Sequence, residues 1–597
     1  MRLSAKCSSV FIIALGAAAA SCTHSHPTPA SAPAPASSSA ASVAAAPVVT
    51  RPAQFPSGWR FEAGGHAAEA EHAMIASNSR LASQAGVEIL EKGGNAVDAA
   101  VATGFALEVT FPAAGNIGGG GYMVIHMADG QSAALDYREV APLAATRTMY
   151  VDASGHVTKE STVGPLAVGV PGSVAGMAEA LRRYGTMSLH DVMQPAIRLA
   201  ADGFTVDSAL ALSLVEGKSL ILGQGGAAPF YPNGEPLAVG AHLVQPALAR
   251  TLRLIAEGGP DAFYKGEIAD TIAAQMQRMH GLITKEDLAR YVPEWRDPIR
   301  GSYRGDTILA MPPSSSGGVS TMESLNILET WPALPPTGSA MYVHDVAEAF
   351  RRAFIDRNTL LGDPAFVHAP IDRLTSKTYA RAMRDSIADD RATPSPTFTA
   401  ARGEAMHTTH YSVVDSHGDA VATTTTLNSL YGSGVYVAGA GMFLNDEMDD
   451  FASQPGTPNQ FGLVQGEANA IAPGKRMLSA MSPTIVLDKN GKVLLVVGAA
   501  GGPTIITTTT QVILNVIDGH MSLSDAMKAP RLHEQAWPDA LEYERGGLSP
   551  AVVDSLTGMG YHLRAVGRIA NANAVMRVNG GWQGMSEPRA TGGAIGD

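Results

Sequence analysis

The 597-residue chain is expected to fold as an α+β sandwich, with strands layered between helices in an αββα arrangement. Three observations lead there. Helix-spaced apolar residues dominate the first half, a β-branched hairpin begins near residue 408, and short strands and helices follow it. Hydrophobic residues make up 45% and charged residues 16%, enough for a substantial core and too apolar for a disordered chain.

Arg2 and Lys6 precede an apolar run over 10–15, and small residues follow to Ser21. Residues 1–22 therefore read as a signal peptide, too short for a comfortable membrane span. Cys22 stands where a lipoprotein cysteine would, although such sites usually carry Leu at the place of Ala19. A lipid anchor at Cys22 and ordinary cleavage near the alanine run both stay open. Residues 23–55 are almost entirely Ala, Pro, Ser, Thr and Val, the composition of a tether. The expected location is the periplasm, with membrane attachment only through that anchor. Both cysteines, Cys7 and Cys22, fall in this leader, so the body offers no disulfide, cysteine nucleophile or cysteine metal site.

Helices are expected over 79–94, where Gly93-Gly94 stops the run, and over 96–109. Gly115-Asn-Ile-Gly-Gly-Gly-Gly121 then precedes an apolar strand over 122–126. Glycines before a strand are in the wrong order for a nucleotide fingerprint, which needs strand, glycines, helix. Backbone crowding under a sheet is the better reading. From 174 to 384 the chain reads as mostly helical, with helices near 174–184, 189–202, 246–257 and 344–361. After Pro394-Ser-Pro396 the pattern changes. Strands over 409–415 and 420–426 flank a Ser416-His-Gly-Asp419 turn, and 484–487 and 493–497 form a second strand pair. Helices near 508–518, 523–529 and 550–559 follow, and the closing residues 592–597 carry no signal.

The net charge of -13 disfavours a nucleic-acid partner but permits an anionic small substrate gripped by one local arginine. His407 and His410 flank Thr408, yet residues three apart on a strand point to opposite faces, so no metal site is expected there. No motif calls for a cofactor. A threonine opening a strand, such as Thr408, is ordinarily a structural β-branched residue. It becomes a nucleophile only with an adjacent base, and cleaving the bond before it would supply an α-amino group for that task.

Thr408-Thr-His-Tyr-Ser-Val-Val-Asp415 resembles the start of the small subunit of γ-glutamyltranspeptidases, in the N-terminal nucleophile hydrolase superfamily. Other signatures of that family follow in order from Leu81-Ala-Ser-Gln-Ala-Gly86 and Gly93-Gly-Asn-Ala-Val-Asp-Ala-Ala100 through Asp136-Tyr-Arg-Glu139 and Pro313-Ser-Ser-Ser-Gly-Gly318. Thr426-Leu-Asn428, Leu444-Asn-Asp-Glu-Met-Asp-Asp-Phe451, Met481-Ser-Pro-Thr484 and Gly501-Gly502 complete the set, so the resemblance spans about 73–588. It implies self-cleavage at His407–Thr408 into a large subunit, 56–407, and a small catalytic subunit, 408–597, that remain together as a heterodimer. Thr408 would be the nucleophile, Thr426 its support, and the Gly501 and Gly502 backbone the oxyanion hole. Arg138 would hold the donor's α-carboxylate, and Asn428, Glu447 and Asp450 its α-ammonium. Donors would be glutathione-like γ-glutamyl amides, and acceptors water, amino acids or peptides.

Two positions depart. Where the family commonly has two carboxylate-binding serines, Ser479 is followed by Ala480. One missing hydrogen bond to a charged group costs about 1.5–3 kcal/mol. Phe461, in a loop resembling the family's lid, stands where Tyr is frequent, which predicts a looser lid. Ala480 keeps a glutaryl or cephalosporin acylase as an alternative, and a catalytically silent tethered binding protein is the alternative of another class.

Overall fold

The computed structural model describes residues 50–395 and 408–597. The leader, most of the tether and the expected cleavage residue His407 lie outside them. Within them two antiparallel seven-stranded sheets pack face to face. One runs Gly593–Gly596, Met74–Ser77, Thr408–Val414, Ala420–Thr426, Gly120–His126, Ser132–Tyr137, Glu294–Arg296. The other runs Ala68–Ala70, Gly581–Met585, Asn571–Val578, Val493–Ala500, Thr484–Leu487, Asp306–Ala310, Ile299–Tyr303.

Alternation sorts the first sheet's side chains. Ile75, Met123, Ile125, Val413 and Val421 meet an outer helical layer containing Arg80–Glu91 and Ala96–Thr110. Met74, Ala76, Tyr122, Val124 and Ala422 instead meet the second sheet. Gly317–Leu328, Ala340–Leu360 and Thr504–Ile517 cover that sheet's far side. The expected αββα sandwich is therefore present. Helix starts follow local chemistry: Ser79 accepts from the Ala82 N–H, and Asn95 with Asp98 forms a capping box.

The 115–121 glycines are crowded by backbone, as the sequence suggests. A Cβ on Gly118 would sit 1.9 Å from the Phe443 carbonyl oxygen, and one on Gly119 would sit 2.2 Å from that of Thr426. This lets the Gly120–His126 strand lie tight against the Ala420–Thr426 strand.

Besides the short pair Phe204–Thr205 and His242–Leu243, three strands of the two large sheets interrupt the stretch read as mostly helical: Glu294–Arg296, Ile299–Tyr303 and Asp306–Ala310. The first two are partly exposed edge strands, whose side chains need not alternate cleanly. The helix expected at 508 begins earlier, at Thr504 after Pro503. Its threonines weaken the helical signal, but inside the fold the Thr510 hydroxyl donates back to the Ile506 carbonyl. The signal-free C-terminus supplies an edge strand, Gly593–Gly596, paired with Met74–Ser77.

Candidate active site

Thr408 opens the first strand of the hairpin, and the register sets it opposite Thr426. Their hydroxyl oxygens are 3.2 Å apart. Thr426 Oγ1 also accepts the Asn428 N–H at 2.8 Å, and Asn116 Nδ2 donates to the Thr426 carbonyl at 2.8 Å. Thr408 is thus held at the end of a strand whose partner is itself fixed by side chains.

Across the sheet interface, Val493–Ala500 ends in Gly501-Gly502, and Thr504–Ile517 starts two residues later. Gly501 has φ 142° and Gly502 φ 55°, conformations costly to any residue with a Cβ. Backbone N–H groups at a helix start also sit in its positive dipole field. The Phe461 ring lies over Gly502, so a Cβ there would come within 3.1 Å of the ring. Phe461 is buried with Phe354, Leu463, Ala480 and Ile506. The two positions that depart from the family pattern, Phe461 and Ala480, therefore share one apolar cluster.

On the other side of the cavity Arg138 is fully buried. Its guanidinium donates to Glu447 and Asp450, while Nε donates to the Met477 carbonyl at 3.2 Å. Burial would lower its pKa, but Glu447 and Asp450 hold it well above the usual range. Glu139 Oε2 lies 3.6 Å from Arg138 Nη1, and burial pushes that carboxyl up to about 7 despite the arginine. Burial likewise raises Glu447 and Asp450, with Arg138 opposing. One guanidinium thus serves three carboxylates packed against it. Asn428 adopts φ 76° and donates through Nδ2 to the Asp446 carbonyl at 3.0 Å. The Ser479 carbonyl accepts from the Ser316 N–H at 2.8 Å, and Ser479 Oγ accepts from the Met481 N–H at 3.1 Å.

Thr408, Thr426, Arg138, Asn428, Glu447, Asp450, Phe461, Ser479, Ala480 and Gly502 all line one cavity, and Gly501 adjoins it. His407 lies outside the described residues. His410 points away between the sheets, its ring nitrogens 2.8 Å from Thr424 Oγ1 and 3.0 Å from Ser412 Oγ. Burial lowers its pKa to about 3, so the ring is neutral. Among the described residues no cluster of His, Cys, Asp and Glu is arranged to hold a metal.

Two groups were not singled out from sequence. Arg357, on Ala340–Leu360, lines the same cavity. Its signal was its place on the apolar stripe Phe350, Phe354, Leu361, at helical spacing. Asp446 accepts the Ser429 N–H at 2.8 Å, the Ser429 hydroxyl at 2.6 Å and the Gln460 amide at 3.3 Å. Burial pushes its pKa up to about 8. The unfolded value is near 3.9, so the folded chain holds an extra proton between the two values, and stability falls as pH rises through that window. The melting temperature of Asp446→Asn minus that of wild type is expected to climb between pH 5 and 8. Parallel melting curves across that range would show that Asp446 is not the group responsible.

Comparison with known proteins places the chain. Residues 82–597 match the family model described as Gamma-glutamyltranspeptidase. The chain belongs to the γ-glutamyltranspeptidase family. It is 47% identical over 533 residues to the glutathione hydrolase proenzyme of Escherichia coli, covering 88% of this chain and 92% of that one. The acylase ACY 1 proenzyme of a Pseudomonas species is 40% identical, covering 85% and 90%. The crystal structure of cephalosporin acylase from Bacillus halodurans superposes with TM-score 0.79 at 28% identity, covering 90% of this chain and 98% of that one. Family membership makes the chain an enzyme of the γ-glutamyltranspeptidase and glutathione hydrolase class, and the superposition agrees with the α+β sandwich.

Proposed function

We propose that this chain cuts itself between His407 and Thr408, and that the resulting subunits, 56–407 and 408–597, act as a heterodimer on γ-glutamyl amides such as glutathione. The observation that carries the reading is the single cavity shared by Thr408, Thr426 and the Arg138–Glu447–Asp450 cluster. Cleavage frees an α-amino group with an ordinary pKa of about 7.7–8.0, well suited to accept the Thr408 hydroxyl proton near neutrality. Thr408 Oγ1 attacks the γ-carbonyl, and the Gly501 and Gly502 N–H groups receive the oxyanion. The amine leaves with the proton, and an ester to Thr408 remains. Water or an acceptor amine then attacks that ester and regenerates the threonine. The donor's ammonium faces Glu447, Asp450 and Asn428, and its carboxylate faces Arg138 and Ser479.

Export is part of the proposal: the leader and tether carry the enzyme to the periplasm, free or lipid-held at Cys22. A denaturing gel with N-terminal sequencing should show two fragments, the smaller starting at Thr408, and the preparation should release aniline from γ-glutamyl anilide. An intact, inactive wild type would overturn the proposal. The glutaryl or cephalosporin acylase reading is favoured by one observation, Ala480 packed in the apolar wall beside Phe461. Faster turnover of a glutaryl anilide than of the γ-glutamyl one would decide for it.

A further inference from the structure

Arg138 reaches the cavity with its charge already answered, because its guanidinium donates to both Glu447 and Asp450. Arg357 is in a different position. It is 1% exposed and lines the cavity beside Ser479 and Ala480. Its Nε donates to Ser316 Oγ at 3.1 Å, and its Nη1 donates to Asn358 Oδ1 at 2.9 Å and Gln465 Oε1 at 3.0 Å. These are neutral acceptors. Among the described residues no carboxylate makes an ion pair with Arg357. Burial accordingly lowers its pKa to about 10, with Asp450 opposing and Arg138 adding to the fall. At neutral pH it remains a cation, buried and without a counter-ion in contact. Such a charge is costly unless something neutralises it during the working cycle.

The geometry around Arg357 says what that is. Ser316 Oγ, which accepts from Arg357, itself donates to the Ser479 carbonyl at 2.5 Å. Gln465, another of the three acceptors, donates through Nε2 to the Asp450 carbonyl at 3.0 Å. The guanidinium is therefore fixed between the Ser479 and Asp450 segments of the cavity wall. Resting on the γ-glutamyl reading above, we infer that Arg357 is a second carboxylate-binding residue of the donor pocket and supplies the positive charge that the incoming α-carboxylate neutralises. In this arrangement Arg138, besides facing the carboxylate, organises Glu447 and Asp450 for the ammonium. Ala480 becomes intelligible too: a pocket with a free guanidinium beside Ser479 can do without a second serine hydroxyl.

Three anilides test this on one enzyme preparation: γ-glutamyl; glutaryl, which keeps the carboxylate and lacks the ammonium; and 4-aminobutyryl, which keeps the ammonium and lacks the carboxylate. Arg357→Gln should lower kcat/KM for γ-glutamyl and glutaryl roughly ten- to a hundredfold, mostly through KM, and lower that for 4-aminobutyryl far less. Arg357→Lys should restore part of the preference for the two carboxylate-bearing donors. Ratios within one preparation cancel incomplete maturation, and Arg357→Met, similar in length and uncharged, reads the same ratios where the Gln variant yields too little enzyme. An equal fall on all three anilides would reduce Arg357 to a structural prop and overturn the inference. A wild type that prefers glutaryl would overturn the γ-glutamyl reading while leaving the Arg357 comparison intact.

Discussion

Thr408→Ala is expected to remain a single unprocessed chain and to lose amide turnover by at least about four orders of magnitude, because both reactions need the same hydroxyl. The fold should survive the change. Thr408 is 7% exposed and its side chain spans only to Thr426 Oγ1, so truncation removes one methyl and one hydroxyl without opening the sheet. The strand pairing that holds the position, Thr408 against Thr426 through Val414 against Ala420, is made by backbone. Thr408→Ser should process and turn over, more slowly, since serine keeps the hydroxyl but lacks the β-methyl that restricts χ1. Thr426→Ala should act in between, because it removes the hydroxyl beside Thr408 and also the acceptor of the Asn428 N–H. Gel analysis and γ-glutamyl anilide assays on the same four proteins give the ordering. Turnover by Thr408→Ala near the wild-type rate would move the nucleophile elsewhere.

That hairpin is also where sequence reading was strongest, for a physical reason. Thr408–Val414 and Ala420–Thr426 are central strands joined by a short turn, so local alternation specifies their pairing. Crowded backbone also leaves a local trace, and the 115–121 glycines were readable as close packing. The edge strands near 294–310 and the strands after 570 were not, because their pairing is decided by distant partners: Met74–Ser77 takes up Gly593–Gly596 from the far end of the chain. The site divides in the same way. Resemblance to a family could nominate Arg138, Glu447 and Asp450, but that they grip one another across some three hundred residues is visible only in three dimensions. Arg357 was hidden by a sound prior, since a charge on a helix is usually solvated. Here its helix crosses the core beside the cavity.

Arg138→Met should produce the second large effect, and it should show in stability as well as in rate. Removing the guanidinium leaves Glu139, Glu447 and Asp450 buried without the charge that holds their pKa values down. Breaking a buried ion pair from one side typically costs about 3–5 kcal/mol. The cost has a definite pH course. In the variant the folded-state carboxyl pKa values rise further above their unfolded values near 4, so the folded chain must take up protons. Stability relative to wild type is then least impaired near pH 5 and falls as pH increases toward 8. Turnover of γ-glutamyl anilide should drop by roughly thirty- to a thousandfold or more, the range expected for truncating one member of a buried hydrogen-bonded charge pair. Adding Asp450→Asn to Arg138→Met separates the two effects. It removes one stranded carboxylate and should recover part of the melting temperature, while turnover stays low because the ammonium loses its partner. If the single variant melts in parallel with wild type from pH 5 to 8, the carboxylates do not depend on Arg138, and the charge arrangement of the pocket must be redrawn around Arg357.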